Sequence, residues 1–293
     1  MTSLSTLPTP TAGRPQPRWA LLKRLNFSTW LGMVIVTVLV LCAIFAPLIT
    51  SYNPNDQNII LYLSPPSAEN LLGTDQFGRD VLSRLLYGAR YSLTIGFLAI
   101  VVALIIGSLI GMIAGYVGNR TDIILMQIMD VVLAFPSLIL GLALVALMGA
   151  TLTNIVIAIA FTAIPAFARI ARAGVITQRD REYVQACHAM GFSDTRILLR
   201  HILPAILPEI MVMASLWMAT AVRTEASLAF IGLGLAPPTP TWGGMVREGF
   251  DNILSSFHLA LYPSFAILLL VLALNLIGDG LRDAIDPRLK DAS

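Results

Sequence analysis

Residues Arg181–Ile210 read REYVQACHAMGFSDTRILLRHILPAILPEI. This is the longest polar interruption in the second half of an otherwise strongly apolar chain. It carries Arg181, Glu182, His188, Asp194, Arg196, Arg200 and His201. The stretches on either side, Ile155–Ile170 and Glu209–Ile231, read as membrane spans. A charge at the bilayer centre costs about 2.5–3.5 kcal/mol on insertion scales, so the segment between them belongs outside the hydrocarbon. Ala186, Ala189 and Met190 recur at helical spacing until Gly191 breaks the run. A second short helix is expected from Asp194 to His201, ending before Pro204. In that reading, Asp194 can cap it through its side-chain oxygen. Helix, glycine turn, helix and proline stop make a compact surface element suited to docking in a groove.

The composition agrees with a membrane setting. The 293 residues are 56% hydrophobic and 12% charged, with a mean hydropathy of +0.78. A soluble domain carries about 25% charged residues. A net charge of +2, with basic residues scattered among spans, argues against a nucleic-acid partner. Cys42 and Cys187 fall in an apolar run and in the charged segment, so a disulfide is not expected.

Working outward, residues 1–27 form a polar tail with no apolar core. The apolar run Trp30–Ile49 sets a first span at 28–50, about the length that crosses a bilayer. Residues 51–91 are turn-rich and polar, an extracytoplasmic segment. Its Asp75 and Asp80, near Gly73 and Gly78, do not have the spacing of a hand-type calcium loop. Asp80, Ser83 and Arg84 read instead as the start of an amphipathic helix. Further spans follow at Ser92–Tyr116, Ile123–Met148, Ile155–Ile170, Glu209–Ile231 and Leu259–Leu281. Together, residues 92–281 form a core of five spans with the polar loop at 174–204. Residues 282–293 form the closing tail.

Three features inside the spans stand out. Gly107, Gly111 and Gly115, four apart, line one helix face and allow close helix approach. Asp130 interrupts the third span, near Phe135-Pro136, where a kink is expected; Arg120 or Arg169 can neutralise it in a structural ion pair. Arg223 and Glu225, two apart, cannot share a helix face. They have separate partners, lie at the interface or line a pathway.

With six spans and a cytoplasmic N-terminus, the C-terminus is cytoplasmic too. Cytoplasmic segments then hold fourteen of the nineteen Lys and Arg residues, and outer segments hold only Arg79, Arg84, Arg90 and Arg247. This is the positive-inside asymmetry, and it puts the polar loop on the cytoplasmic side.

Four motifs carry a family resemblance. The order Gln185-Ala186-Cys187, then Gly191, then Leu203-Pro204, resembles the EAA loop of ABC importer permeases, with Gln185 in place of the signature Glu and Cys187 in place of the second Ala. The run LGTDQFGRDVLSRLLYGARYSL (72–93) closely resembles the dipeptide/oligopeptide/nickel branch of that family. EASLAFIGLGLAPPTPTWG (225–243) and GDGLRDAIDPRLK (278–290) are similar to the same branch. The resemblance implies an all-α integral membrane protein with six transmembrane helices and a cytoplasmic coupling-helix loop. Its implied location is a bacterial or archaeal inner membrane.

The implied partners are a second homologous permease, two ABC ATPase subunits and an extracytoplasmic substrate-binding protein. Docking on the ATPase would fall to Glu182, Gln185, Ala186, Gly191, Asp194, Arg196, Arg200 and Pro204. Peptides are the default substrate, with nickel, opines or glutathione as alternatives.

The residues also limit the chemistry. A P-loop needs Gly-Lys-Ser/Thr, and the two lysines, Lys23 and Lys290, both follow leucine. ATP must therefore be bound by partner subunits, and the chain itself is expected to carry no cofactor. His188, His201 and His258 lack metal-ligand spacing, and no nucleophile–base pair stands out. An ATP-independent secondary transporter would need broken, charged helices near mid-membrane and inverted repeats. The spans carry few central charges and show no repeat.

Overall fold

The computed structural model describes residues 26–285. The expected tails at 1–27 and 282–293 lie outside it except for residues 26–27 and 282–285. The chain is helical almost throughout. In order it forms α1 (Phe27–Ile44), α2 (Ala46–Ile49), a short 3₁₀ turn (Ile59–Leu61), α3 (Val81–Val117), α4 (Asn119–Leu133) and α5 (Ser137–Met148). Then come α6 (Leu152–Arg179), α7 (Glu182–Ala189), α8 (Asp194–Ile197), a π-helical turn (Leu198–Ile202), α9 (Leu203–Ile231), α10 (Trp242–Asp251) and α11 (His258–Ile285). Five helices are long and apolar enough to cross a membrane, or six if α4 and α5 count as one bent span.

Helix α3 is the spine of the fold. Its 37 residues reach about 55 Å, well beyond a hydrocarbon core of about 30 Å. Asp80 caps its start, accepting from the Ser83 amide at 2.7 Å. The amphipathic start anticipated at Asp80, Ser83 and Arg84 is therefore the first turn of the span itself. The helix expected to lead from Asp80 into the span at Ser92 is continuous with that span, and Arg84 and Arg90 lie along its first three turns. Both are held inside the fold: Arg84 is 2% exposed, and Arg90 donates to the last carbonyls of α1, Ala43 at 2.5 Å and Ile44 at 2.8 Å.

The small-residue face of α3 meets α6. A Cβ on Gly107 would lie 2.5 Å from the Ile164 carbonyl oxygen, and one on Gly111 would overlap the Ala168 carbonyl. The two backbones pack directly, and around this seam Ile95, Ala99, Ile155, Phe167, Ile206 and Leu228 form the main core. A second core, with Ala43, Ala89, Val222, Trp242 and Leu270, joins α1, α3, α9, α10 and α11. Asn26, just before α1, donates to Asp283 near the end of α11 at 3.4 Å. The start of α1 and the end of α11 therefore lie side by side.

Other limits also shift. Helix α6 runs from Leu152 to Arg179, past the expected end at Ile170, because Arg172 and Arg179 find partners along it. Helix α10 begins at Trp242, capped by Thr241, which accepts from the Gly244 amide at 3.1 Å. The kink at Phe135-Pro136 is a break: α4 and α5 diverge by 86°. Pro136 supplies no N–H to continue the ladder of α4 and instead precedes the first turn of α5.

Candidate coupling segment and intramembrane charges

The polar segment folds as two short helices on the end of the bundle where α3 and α6 finish. Helix α7 turns Val184 and Cys187 into the core, beside Ile197 and Ile202. Its other face, with Glu182, Tyr183, Gln185, Ala186 and Ala189, is exposed. Glu182 stands in the first turn, where the helix dipole favours an acid. Burial pushes the Tyr183 hydroxyl's pKa up, with Arg181 opposing and Cys187 adding to the rise. Gly191 ends the helix at φ +75°, with its amide on the His188 carbonyl (2.9 Å) and the Phe192 amide on that of Cys187 (3.1 Å). This left-handed turn is what glycine supplies at a helix C-terminus.

Beyond the turn, Ser193 occupies the cap position of α8 without a side-chain bond. Asp194 does not cap the helix, contrary to the sequence expectation. Its Oδ1 accepts from the Tyr116 hydroxyl of α3 at 2.8 Å. Arg196 lies 4.3 Å over the Phe192 ring, and Phe192 stacks on His201 at 6.0 Å. Arg196 and Arg200 are exposed.

Pro204 is not a stop. Helix continues from Asp194 through the π turn into α9, and Pro204 falls in the first turn of α9, where a missing N–H matters least. The looser π turn absorbs the lost backbone bond. Glu182, Gln185, Ala186, Gly191, Asp194, Arg196, Arg200 and Pro204 are all exposed.

Two further contacts fasten this end. Arg172 of α6 holds Asp122 of α4 with bonds of 2.5 and 2.6 Å. Arg179 donates to the Gly115 carbonyl at 2.8 Å, near the end of α3.

Of the charges within the spans, Asp130 pairs with Arg169 at 2.6 Å, the second of the two cations anticipated. Arg223 and Glu225 do point apart. Arg223 is exposed and donates to Thr220 Oγ1 at 3.1 Å on its own helix. Glu225 is 1% exposed. Neither of its oxygens has a well-formed hydrogen bond, although the hydroxyls of Ser92 and Thr241 lie beside it.

Residues 107–291 match the family described as binding-protein-dependent transport system inner membrane component. The chain belongs to that family. Residues 25–66 also match the N-terminal TM domain of oligopeptide transport permease C. Among relatives, the permease is 46% identical to the dipeptide transport system permease protein DppC of Alkalihalophilus pseudofirmus, covering 88% of this chain and 85% of that one. It is 44% identical to the di/tripeptide transport system permease protein DppC of Pseudomonas aeruginosa, covering 89% and 88%. It is 45% identical to the glutathione transport system permease protein GsiD of Pectobacterium atrosepticum, covering 77% and 75%. Its fold matches a chain of the MetNI methionine ABC transporter with a TM-score of 0.57 at 18% identity, covering 69% of this chain and 97% of that one. It is thus a multi-pass inner-membrane permease of the ABC importer type.

The permease carries one cluster that sequence reasoning missed. At the opposite end from the coupling segment, Arg79 pairs with Asp75 at 2.6 Å and with Glu248 of α10 at 2.9 Å. Arg84 pairs with Glu248 at 3.0 Å and with Asp75 at 3.3 Å. Asp75 also accepts from the amides of Phe77 (2.8 Å) and Arg79 (3.0 Å), closing the turn. Both arginine side chains are 2% exposed, so α10 is locked to the loop before α3 by buried charges. The visible signal was two acids and two arginines within 75–84, but nothing marked Glu248 as their partner.

Proposed function

We propose that this permease forms half of the translocation pathway of an ATP-driven importer of di- and oligopeptides. The observation that carries the substrate class is 44–46% identity, over nearly nine-tenths of the chain, to relatives named as dipeptide and di/tripeptide permeases. The other half is a second, homologous permease. Two ATPase subunits bind and hydrolyse ATP, and an extracytoplasmic binding protein delivers the peptide. The coupling segment is cytoplasmic, as are both termini. The concentration of Lys and Arg on that side and the Asn26–Asp283 contact between the chain ends both support this orientation.

The mechanism is alternating access. Closure of the ATPase pair moves the groove that holds α7 and α8. The exposed face around Glu182, Gln185 and Ala186 is the docked surface, with Arg196 and Arg200 at its edge. Anchored through Val184 and Cys187 and tied to α3 by Asp194, the segment moves as one piece with the spans. The 45% relative named for glutathione supports a second reading, a modified tripeptide as substrate.

The test is uptake of a labelled dipeptide, labelled glutathione and labelled nickel in cells with and without this chain. Loss of dipeptide uptake supports the reading, and loss of glutathione uptake alone moves it to the second. Loss of nickel uptake alone, or of none, rejects it. Purifying the chain and finding no ATPase bound would reject the docking role.

A further inference from the structure

Helix α9 has two unlike faces. One buries Ala219, Val222, Glu225 and Ala229 against its neighbours. The other carries Thr220, Arg223, Thr224 and Ser227, spaced as one helical stripe. Thr224 donates to the Thr220 carbonyl and Ser227 to the Arg223 carbonyl, each at 2.9 Å. These hydroxyls are satisfied along the helix and reach for no neighbouring element. Arg223 is the charged member of the stripe. It bonds Thr220 through one nitrogen and, among the described residues, forms no ion pair. It stands eight residues before the end of α9 at Ile231, about 12 Å along the axis.

Lipid hydrocarbon offers nothing for the donors of a guanidinium. Water or protein must meet this stripe. We propose that the stripe forms part of the pathway wall and that Arg223 is its carboxylate-binding group, taking the C-terminal carboxylate of a peptide in transit. The inference rests on the peptide-importer reading. A guanidinium has five donors in a planar fork that matches a carboxylate with two parallel bonds. Only one of its nitrogens is engaged, by a neutral hydroxyl, so the fork can turn to a ligand without breaking an ion pair. The flanking hydroxyls are already bonded to their own helix, which makes the wall polar without further holding points. A conduit needs a contact strong enough to admit its solute and weak enough to release it. One exposed arginine on a neutral polar stripe has that balance.

The test uses the complete transporter in proteoliposomes, with binding protein and ATPases, and labelled Ala-Ala as the probe. Arg223→Met should lower Ala-Ala uptake by about tenfold or more, while the complex still assembles. Arg223→Lys, which keeps the charge but not the planar fork, should fall between wild type and Arg223→Met. In a background with Cys42→Ser and Cys187→Ser, Arg223→Cys should react with a water-soluble anionic thiol reagent, and excess Ala-Ala should slow that reaction. Wild-type uptake by assembled Arg223→Met would overturn the inference. So would an Arg223→Cys thiol unreactive in every nucleotide state, the result for a residue sealed in a subunit contact. If the wild-type complex itself takes up no peptide, the importer reading fails first and the carboxylate assignment falls with it.

Discussion

The Tyr116 hydroxyl donates a 2.8 Å hydrogen bond to Oδ1 of Asp194, joining the last turn of the longest span to the second short helix of the coupling segment. His188 Nε2, on the first short helix, lies 3.3 Å from the same hydroxyl, and its ring stacks on that of Tyr116. A single side chain thus touches both halves of the segment. Tyr116→Phe keeps the ring contact and removes the bond, worth about 1 kcal/mol. The expected outcome is a roughly fivefold fall in peptide transported per ATP hydrolysed, with the ATPase still co-purifying. Paired uptake and hydrolysis measurements in proteoliposomes check it. An unchanged ratio would mean the contact is passive.

At the other end, Arg84→Ala leaves Asp75 and Glu248 sharing Arg79 alone in a buried site. Breaking a buried pair from one side costs about 3–5 kcal/mol. The variant should show strongly reduced yield and a lower melting temperature in detergent. Glu248→Gln retains an acceptor for both arginines and should lose clearly less.

Gly111→Leu forces a side chain into the Ala168 carbonyl, where α3 and α6 touch backbone to backbone. Overpacking of this kind costs about 1–3 kcal/mol or more, since backbone must move. Gly141→Ala, in α5, meets nothing within 4 Å. It should be neutral or slightly stabilising, because alanine is the better helix former. Thermal unfolding of the two variants side by side separates packing from composition.

Gly191→Val places a β-branched residue at φ +75°, a strain of about 1–3 kcal/mol. Nothing lies within 4 Å of the added Cβ, so the effect is conformational and local. ATPase co-purification should fall while the melting temperature of the spans holds. Gly191→Asn, which tolerates the left-handed turn, should restore binding.

Glu225→Gln removes a buried carboxylate that, among the described residues, forms no ion pair, and keeps the shape. Stability should be unchanged or higher, whereas Glu225→Lys should prevent folding. Expression with a melting curve decides. A marked loss in the Gln variant would show that the ionised form is needed.

The spans were legible because apolar length and helical spacing are local properties, and the face of Gly107, Gly111 and Gly115 could be read the same way. Charges were harder to place. Arg84 and Arg90 read only as outer-segment charges, yet one is neutralised by Glu248, more than 160 positions later, and the other rests on the end of α1. Asp194 had the position of a helix cap, but Tyr116, 78 residues earlier, took its oxygen. Pro204 had the look of a stop, but a π turn just before it lets the helix continue. For Arg84, Arg90 and Asp194 the decisive partner is distant in sequence, so local propensity had no access to it. The helix–glycine–helix form of the polar segment was visible for the opposite reason. Gly191 and helical spacing are local features, although the spacing noted at Ala186, Ala189 and Met190 falls on the exposed face while Val184 and Cys187 turn inward.

The 86° break between α4 and α5 bears on what the single chain can be. Around it, Leu133 to Ser137 are exposed, and a stretch of backbone there has left the helical ladder. If the pair is counted as one span, that stretch lies at membrane depth, where bare backbone is stable only against protein or water. A protein surface or water must therefore meet this stretch. The melting temperature of the isolated chain and that of the assembled transporter are then two different quantities, and only the second describes the protein at work.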